Sequence, residues 1–346
     1  MSDQLDLFSG EPSSPTDAAD RDEELVAELS QGAEELARHD VYIGTSSWKY
    51  PGWCGLIYRN SGYQWRGRFA ESRFNRDCLA EYAGIFKSVC VDGAYYQFPS
   101  EPYLTGLAGQ VPKNFRFSFK VTEEITLRRY PNIQRMGARA GRDNPNFLNA
   151  ELFARLFLRP LESIRPHVGL LMFEFSRFPQ NDFRHPHEFL DGLDRFLSAL
   201  PAGWDYGVEI RNEELLDTAY LDVLCRHGVT HVFNSWEAMP TVERQMTVVG
   251  GRLDNLHAGA RFLLKPGRKY QQAVDKFTPY RRVQEVNEAA RAAGARLIEY
   301  ALQKKRRLYL YGNNRLEGCS PITLLAMLRR IAPDRWAQLR NSPANR

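Results

Sequence analysis

The chain is short of the residues that usually announce a ready-made chemistry. Its five cysteines, Cys54, Cys78, Cys90, Cys225 and Cys319, are an odd number, widely spaced and without a C-x-x-C pair, so a reducing cytoplasm suits them better than a disulfide framework. The seven histidines include no H-E-x-x-H motif, and His185 and His187 flank a proline in an expected loop, so no metal site is expected. No apolar run approaches the roughly 18 residues that span a bilayer, and no basic-then-apolar leader pattern opens the chain. The expectation is a cytoplasmic protein with no membrane association, and nothing in the composition names a cofactor.

What is present is ordinary in amount and uneven in placement. The 346 residues are 43% hydrophobic and 25% charged, enough for a sizeable core, with a formal net charge of +4. Residues 1–40 hold twelve acids and two bases, Arg21 and Arg38, which leaves 30 acids and 44 bases in residues 41–346. The mild total is thus the difference between a tail of −10 and a body of +14. A basic body attracts polyanions, although the same balance also serves solubility.

Residues 9–24, rich in Ser, Pro, Asp and Glu, have the composition of a disordered linker. Residues 24–38 allow a short acidic helix through Leu25, Leu29 and Leu36, but with a thin apolar face. The organisation expected is a disordered acidic tail over 1–39, a folded body over 40–332 and a C-terminal extension over 333–346. Within the body, eight short apolar or β-branched runs alternate with helix-compatible stretches: 41–45, 88–92, 115–120, 168–175, 205–210, 230–234, 260–264 and 308–311. Eight such units close a (β/α)₈ TIM barrel, a single α/β domain.

Nearly every run ends in polar residues that are costly to bury alone. In order these are Thr45 and Ser46, Asp92, Lys120, Glu174, Glu209 with Arg211, Asn234, Lys265 with Arg268, and Asn313 with Asn314. In a TIM barrel those carboxyl ends meet on one face, where the fold places its active sites. Glu209 and Arg211, two apart on a strand, face the same way and suit an ion pair that orients a substrate; Lys120 and Asp92 suit a second. The candidate catalytic set is therefore Glu209, Arg211, Lys120 and Asp92. A barrel-plugging salt bridge is the competing reading of Glu209 and Arg211.

Several ordered segments resemble the YecE-like family of TIM-barrel proteins, domain of unknown function 72. They are GTSSWKYPGWCGLIY at 44–58, VDGAYYQFP at 91–99, FRFSFKVTEEIT at 115–126, VEIRN at 208–212 and YLYGNNRLEGCSP at 309–321. The resemblance spans roughly 41–330 and implies the barrel, with no established activity. Asp92 stands where the family usually has Glu. The segment RFLLKPGRKY matches the family's Arg-Leu-His-Gly pattern only loosely, so Arg261 and His257 are given no role.

Candidate ligand contacts follow from the loops on that face. Trp48 and Tyr95 join Trp53 and Tyr58 as aromatics suited either to stacking or to capping the barrel mouth. Five arginines, Arg128, Arg129, Arg135, Arg139 and Arg142, lie in a stretch without an acid, as a phosphate-tracking loop or a solvated one would. With Thr45, Ser46, Glu174, Asn234, Arg268, Asn313 and Asn314, they define a pocket for a phosphate-bearing ligand, nucleic acid above all, with hydrolytic or lyase chemistry. A sugar- or carboxylate-binding enzyme and a non-catalytic binding module are the alternatives.

At the amino end, Gln4-Leu5-Asp6-Leu7-Phe8 resembles the pentapeptide by which many bacterial proteins bind the replication sliding clamp. Leu7 and Phe8 suit an apolar pocket, Gln4 supplies amide hydrogen bonds, and the linker lets the peptide reach a partner. Chance produces such a pattern on the order of once per few hundred thousand windows.

Overall fold

The computed structural model describes residues 15–179, 182–183, 185–252 and 257–341. Eight parallel strands close a barrel: β1 Val41–Thr45, β2 Ser88–Val91, β3 Arg116–Lys120, β4 Val168–Phe175, β5 Asp205–Ile210, β6 Thr230–Ser235, β7 Ala258–Phe262 and β8 Leu308–Gly312. Each pairs with its chain neighbours, and β1 closes on β8 through the register Val41↔Leu308 to Thr45↔Gly312. Among the described residues no helix is long and apolar enough to cross a membrane.

Alternation along each strand divides the core in two. Leu171, Phe173, Phe175, Val208, Ile210, Leu308 and Leu310 belong to the outer layer packed under the helices. Their neighbours Leu170, Met172, Val232, Tyr309 and Tyr311 join Tyr42 and Cys90 in a separate cluster that fills the barrel. Space there is tight. A Cβ on Gly259 would sit 2.5 Å from Leu170, and one on Gly207 2.7 Å from Val232, so glycine makes room for the branched side chains that plug the barrel. Higher up, the Tyr311 hydroxyl lies 2.6 Å from both Ser88 and Ser118, so the interior turns polar toward the carboxyl ends.

The outer helices start where the sequence supplies caps. Ser100, Asp217 and Asn287 accept hydrogen bonds from the backbone N–H of Tyr103, Tyr220 and Ala290 respectively. His185 does the same for Glu188, so the expected histidine loop is the start of a helix over Pro186–Ser198.

Two expectations need correction. The disordered tail was expected to reach residue 39, but helix α1 covers Pro15–Arg38 and docks, with Leu29, Ala33 and Leu36 buried against the barrel's outer layer. The thin stripe suffices because α1 has neighbours to bury it: the helix Glu71–Ile85, here α2, and the helix Ser320–Leu328. The seventh strand begins and ends two residues earlier than expected. Beyond Phe262 the chain leaves the ladder, and Leu263 and Leu264 both donate to the Ser235 carbonyl. The C-terminal residues carry a helix, Pro333–Asn341, whose Leu339 is buried and accepts at its carbonyl from His39, 3.2 Å away.

His231 of β6 shows how the outer layer fixes the upper barrel. It lies 3.0 Å from the Tyr220 hydroxyl and 3.2 Å from the Gln245 carbonyl oxygen, while the same Gln245 donates to and accepts from the backbone of Asn234. Burial pushes the imidazole pKa down to about 4, against the opposing hydrogen bond of Gln245. The folded state therefore refuses a proton that the unfolded chain takes up near pH 6.5. Stability should fall as pH drops from 6.5 to 4, by up to about 3 kcal/mol from this residue. Urea melts across that range should show the loss, and His231→Gln should flatten it.

Candidate functional site

The inward rows of the strands all end in polar groups. On β4 the row is Leu170, Met172, Glu174; on β5 it is Gly207, Glu209, then Arg211; on β7 it is Gly259, Arg261; on β2 it is Ser88, Cys90, Asp92. Glu174 and Glu209 are register partners on adjacent strands, and Arg261 pairs in register with Asn234 and Tyr311. Six charges thus converge: Asp92, Glu174 and Glu209 against Lys120, Arg211 and Arg261.

Arg261 is the hub. Its Nη1 lies 2.9 Å from Glu209 and 3.3 Å from Glu174, and its Nη2 lies 3.1 Å from Asp92. Arg211 repeats the pattern from the other side, with Nη2 2.5 Å from Glu209 and 3.1 Å from Glu174. Lys120 completes the set at 2.6 Å from Glu174. Burial alone would raise the pKa of Glu174, but the attraction of Arg211, Lys120 and Arg261 outweighs it and holds the carboxyl well below the usual range. Aromatic faces cover two of the cations: Lys120 lies 3.4 Å from the centre of the Tyr95 ring, and Arg211 lies 3.8 Å from that of Trp236.

Glu209 and Arg211 pair as the strand spacing implied. Lys120 and Asp92 do not pair with each other: Lys120 takes Glu174 and Asp92 takes Arg261. Arg261, left without a role on sequence grounds, is the residue that holds three strands' carboxylates together. Its signal lay in alternation with Gly259, obscured by the two-residue error in the strand's bounds. His257 sits at the opposite end of the barrel, its Nε2–H donating to the Tyr206 carbonyl at 2.8 Å.

The remaining candidates divide. Asn234 is buried in the barrel mouth, its amide donating to the Ile210 carbonyl at 3.1 Å while its side-chain oxygen has no partner among the described residues. Ser46 is buried with a hydroxyl that has no partner among the described residues. Thr45 is committed to scaffolding, with its hydroxyl 2.7 Å from the Ser47 carbonyl and 2.9 Å from Tyr82. Asn313 caps the short helix Asn314–Glu317, and Asn314 holds Ser320. Arg268 lies apart, bound to Glu285 at 2.5 Å. Trp48, Trp53 and Tyr58 are buried and cap the barrel rather than present free faces.

Beside the charged layer opens a cavity of about 480 Å³, lined by Tyr95, Arg128, Arg129, Tyr130, Ser176 and Arg177 among others. Ser176 links it to the layer, with its hydroxyl 3.4 Å from Glu174. The loop arginines are not all free. Arg135 and Arg139 are held by Glu123 and Glu124, the latter at 2.8 Å, whereas Arg128 and Arg129 share Asp143 at 3.5 and 3.1 Å near the surface. Among the described residues Arg177 meets no acid, and no group of three or more His, Cys, Asp or Glu side chains is placed to hold a metal ion.

The family is decided by the whole body of the chain. It matches the family described as protein of unknown function DUF72 over residues 42–346. This chain belongs to the DUF72 family. The match includes the C-terminal helix, so residues 333–346 fall within the DUF72 region. A DUF72 family protein from Thermotoga maritima shares the fold at a TM-score of 0.52 and 16% identity, over 84% of this chain and 98% of that one. A second, from Enterococcus faecalis, superposes at 0.50 and 17%, over 84% and 94%. At such identities the likeness is one of fold. No curated protein matches the chain.

Removing one partner from a buried ion set strands the others without compensation, at a cost of about 3–5 kcal/mol. Arg261→Met should therefore lower the stability of the protein by about that amount in urea unfolding. A loss under about 1 kcal/mol would mean that water, rather than Arg261, balances these carboxylates.

Proposed function

We propose that this DUF72 barrel binds a phosphate-bearing ligand, nucleic acid above all, at the carboxyl-terminal face of its strands. The observation that carries the reading is the cavity of about 480 Å³ bounded by Arg128, Arg129 and Arg177, with Tyr95 and Tyr130 in its wall. Arg128 is held by the surface carboxylate of Asp143, an interaction of about 0–1 kcal/mol that a phosphate readily replaces, and Arg129 by Asp143 and, at 3.8 Å, by the more buried Asp182. The six charges of the layer cancel and add no net attraction. Their part is to hold Arg211 and Arg261 in place, whose buried Nε and Nη1 (Arg211) and Nε (Arg261) lack a hydrogen-bond partner among the described residues and would be satisfied by a ligand oxygen that reached them.

The reading is one of binding. Both Glu209 oxygens lie against guanidinium nitrogens, Oε1 without forming a hydrogen bond, so orienting a ligand is the role best supported for this carboxylate. A second element concerns location: Gln4 to Phe8 lie outside the described residues, and their likeness to the clamp-binding pentapeptide supports attachment to a bacterial sliding clamp. Five cysteines, none in a disulfide, are in keeping with a cytoplasmic setting.

Binding of a fluorescent oligonucleotide should weaken as salt rises, and replacing Arg128 and Arg129 together by Ala should lower the slope of log affinity against log salt by about two. An unchanged slope would remove these arginines from the interface. In parallel, the Phe8→Ala protein should lose binding to purified clamp, and equal binding by both proteins would refute the tail's role.

A further inference from the structure

The loop from β1 to α2 carries a feature that the charge pattern of the sequence conceals. Gln64–Trp65 and Arg68–Phe69 form an antiparallel ribbon in which Trp65 faces Arg68 and Gln64 faces Phe69. Arg66 and Gly67 turn it, with φ of 51° and 73°. Two positive φ values are the mark of the tightest hairpin, which favours Asn, Asp or Gly at its first corner, so an arginine there is not the choice of the turn.

Directly opposed residues share a face of the ribbon, so Trp65 and Arg68 lie on one side, Gln64 and Phe69 on the other. Phe69 leans on Phe74, with ring centres 5.4 Å apart. Trp65 meets no other aromatic ring among the described residues and is 60% exposed. Its companions are cations: the guanidinium carbons of Arg66 and Arg73 each lie 5.8 Å from its ring centre. Arg66, Arg68 and Arg73 form no ion pair among the described residues, whereas Arg76 nearby is bound by Asp77 at 2.7 Å. An open concavity of about 760 Å³ runs along these side chains, with Glu71, in the first turn of α2, as its acid.

We infer that this ribbon is a binding site for single-stranded nucleic acid, with one base stacked on Trp65 and flanking phosphates on Arg66, Arg68 and Arg73. An exposed indole between guanidiniums supplies both halves of such a site, a sequence-tolerant stacking face and a cationic track. A duplex keeps its base faces stacked inside and offers nothing to the ring. An acidic polypeptide would use the arginines but leave the indole face unfilled. Gln64, the amide suited to reading base edges, is on the other face, so binding is indifferent to sequence. The ribbon leaves the barrel at the carboxyl end of β1, on the same face as the arginine cavity. The inference rests on the phosphate-ligand reading and deepens it by naming the ligand and locating a contact on a different loop.

The test uses the full chain and a fluorescent oligo-dT of about twelve nucleotides, within the usual span of such sites. Inorganic polyphosphate serves as a competitor that has charge but no bases. Trp65→Ala should weaken oligo-dT binding about tenfold or more while leaving polyphosphate binding unchanged, and Trp65→Phe should recover most of the loss. Equal loss of oligo-dT and polyphosphate binding would overturn the stacking role, as would equally tight binding of the matching duplex or of polyglutamate. Unchanged oligo-dT binding by Trp65→Ala, together with a loss when Arg128 and Arg129 are replaced, would overturn the ribbon and leave the cavity reading standing. No binding of oligo-dT by the unaltered protein would overturn both.

Discussion

One guanidinium sets the terms for the upper half of this barrel. Arg261, almost wholly buried, touches carboxylates from β4, from β5 and from the end of β2, and so ties together strands that are not neighbours in the sheet. The buried Glu174 and Glu209 are tolerable only because cations stand among them, and the buried Arg211 and Arg261 only because of the carboxylates, with the part-exposed Asp92 and Lys120 completing the balance. The interior below is closely filled, so the charges sit as a lid of balanced ions on a plug of Leu170, Met172, Val232, Cys90 and three tyrosines. Exchange of any one charge for an apolar group leaves an excess that the low-dielectric surroundings cannot screen.

Balance has a functional consequence. A neutral layer does not draw an anion from solution, so attraction falls to arginines outside it. Those divide into two kinds. Arg135 and Arg139 are fastened to Glu123 and Glu124 and shape the loop after β3. Arg128, Arg129 and Arg177 at the cavity, and Arg66, Arg68 and Arg73 at the ribbon, are loosely held or unpaired. These six arginines of the basic body lie after β1, β3 and β4, and the charges of the mouth itself cancel.

Much of this was legible in the sequence for a simple reason: a closed barrel converts alternation along each strand directly into inside and outside. Eight apolar runs with polar carboxyl ends gave the fold, and the spacing of Glu209 and Arg211 gave one ion pair. Partners drawn from distant strands were not legible, because nothing local distinguishes Lys120 meeting Glu174 from Lys120 meeting Asp92. Arg261 was hidden by the apolar run through Leu264, which continues after the ladder has ended. Trp65 was hidden because a ribbon of two-residue strands is too short to show any period. The aromatics that stood out in the same loop, Trp48, Trp53 and Tyr58, proved to be its core.

The central claim is that the six charges form one interdependent set with Arg261 at its centre. A double-mutant cycle between Glu209 and Arg261, using Glu209→Leu and Arg261→Met with stability read from urea unfolding, tests it most directly. The account predicts that the double variant loses less than the two single losses combined, by about 1–3 kcal/mol, since removing both leaves neither charge stranded. Additivity within about 0.5 kcal/mol would contradict it.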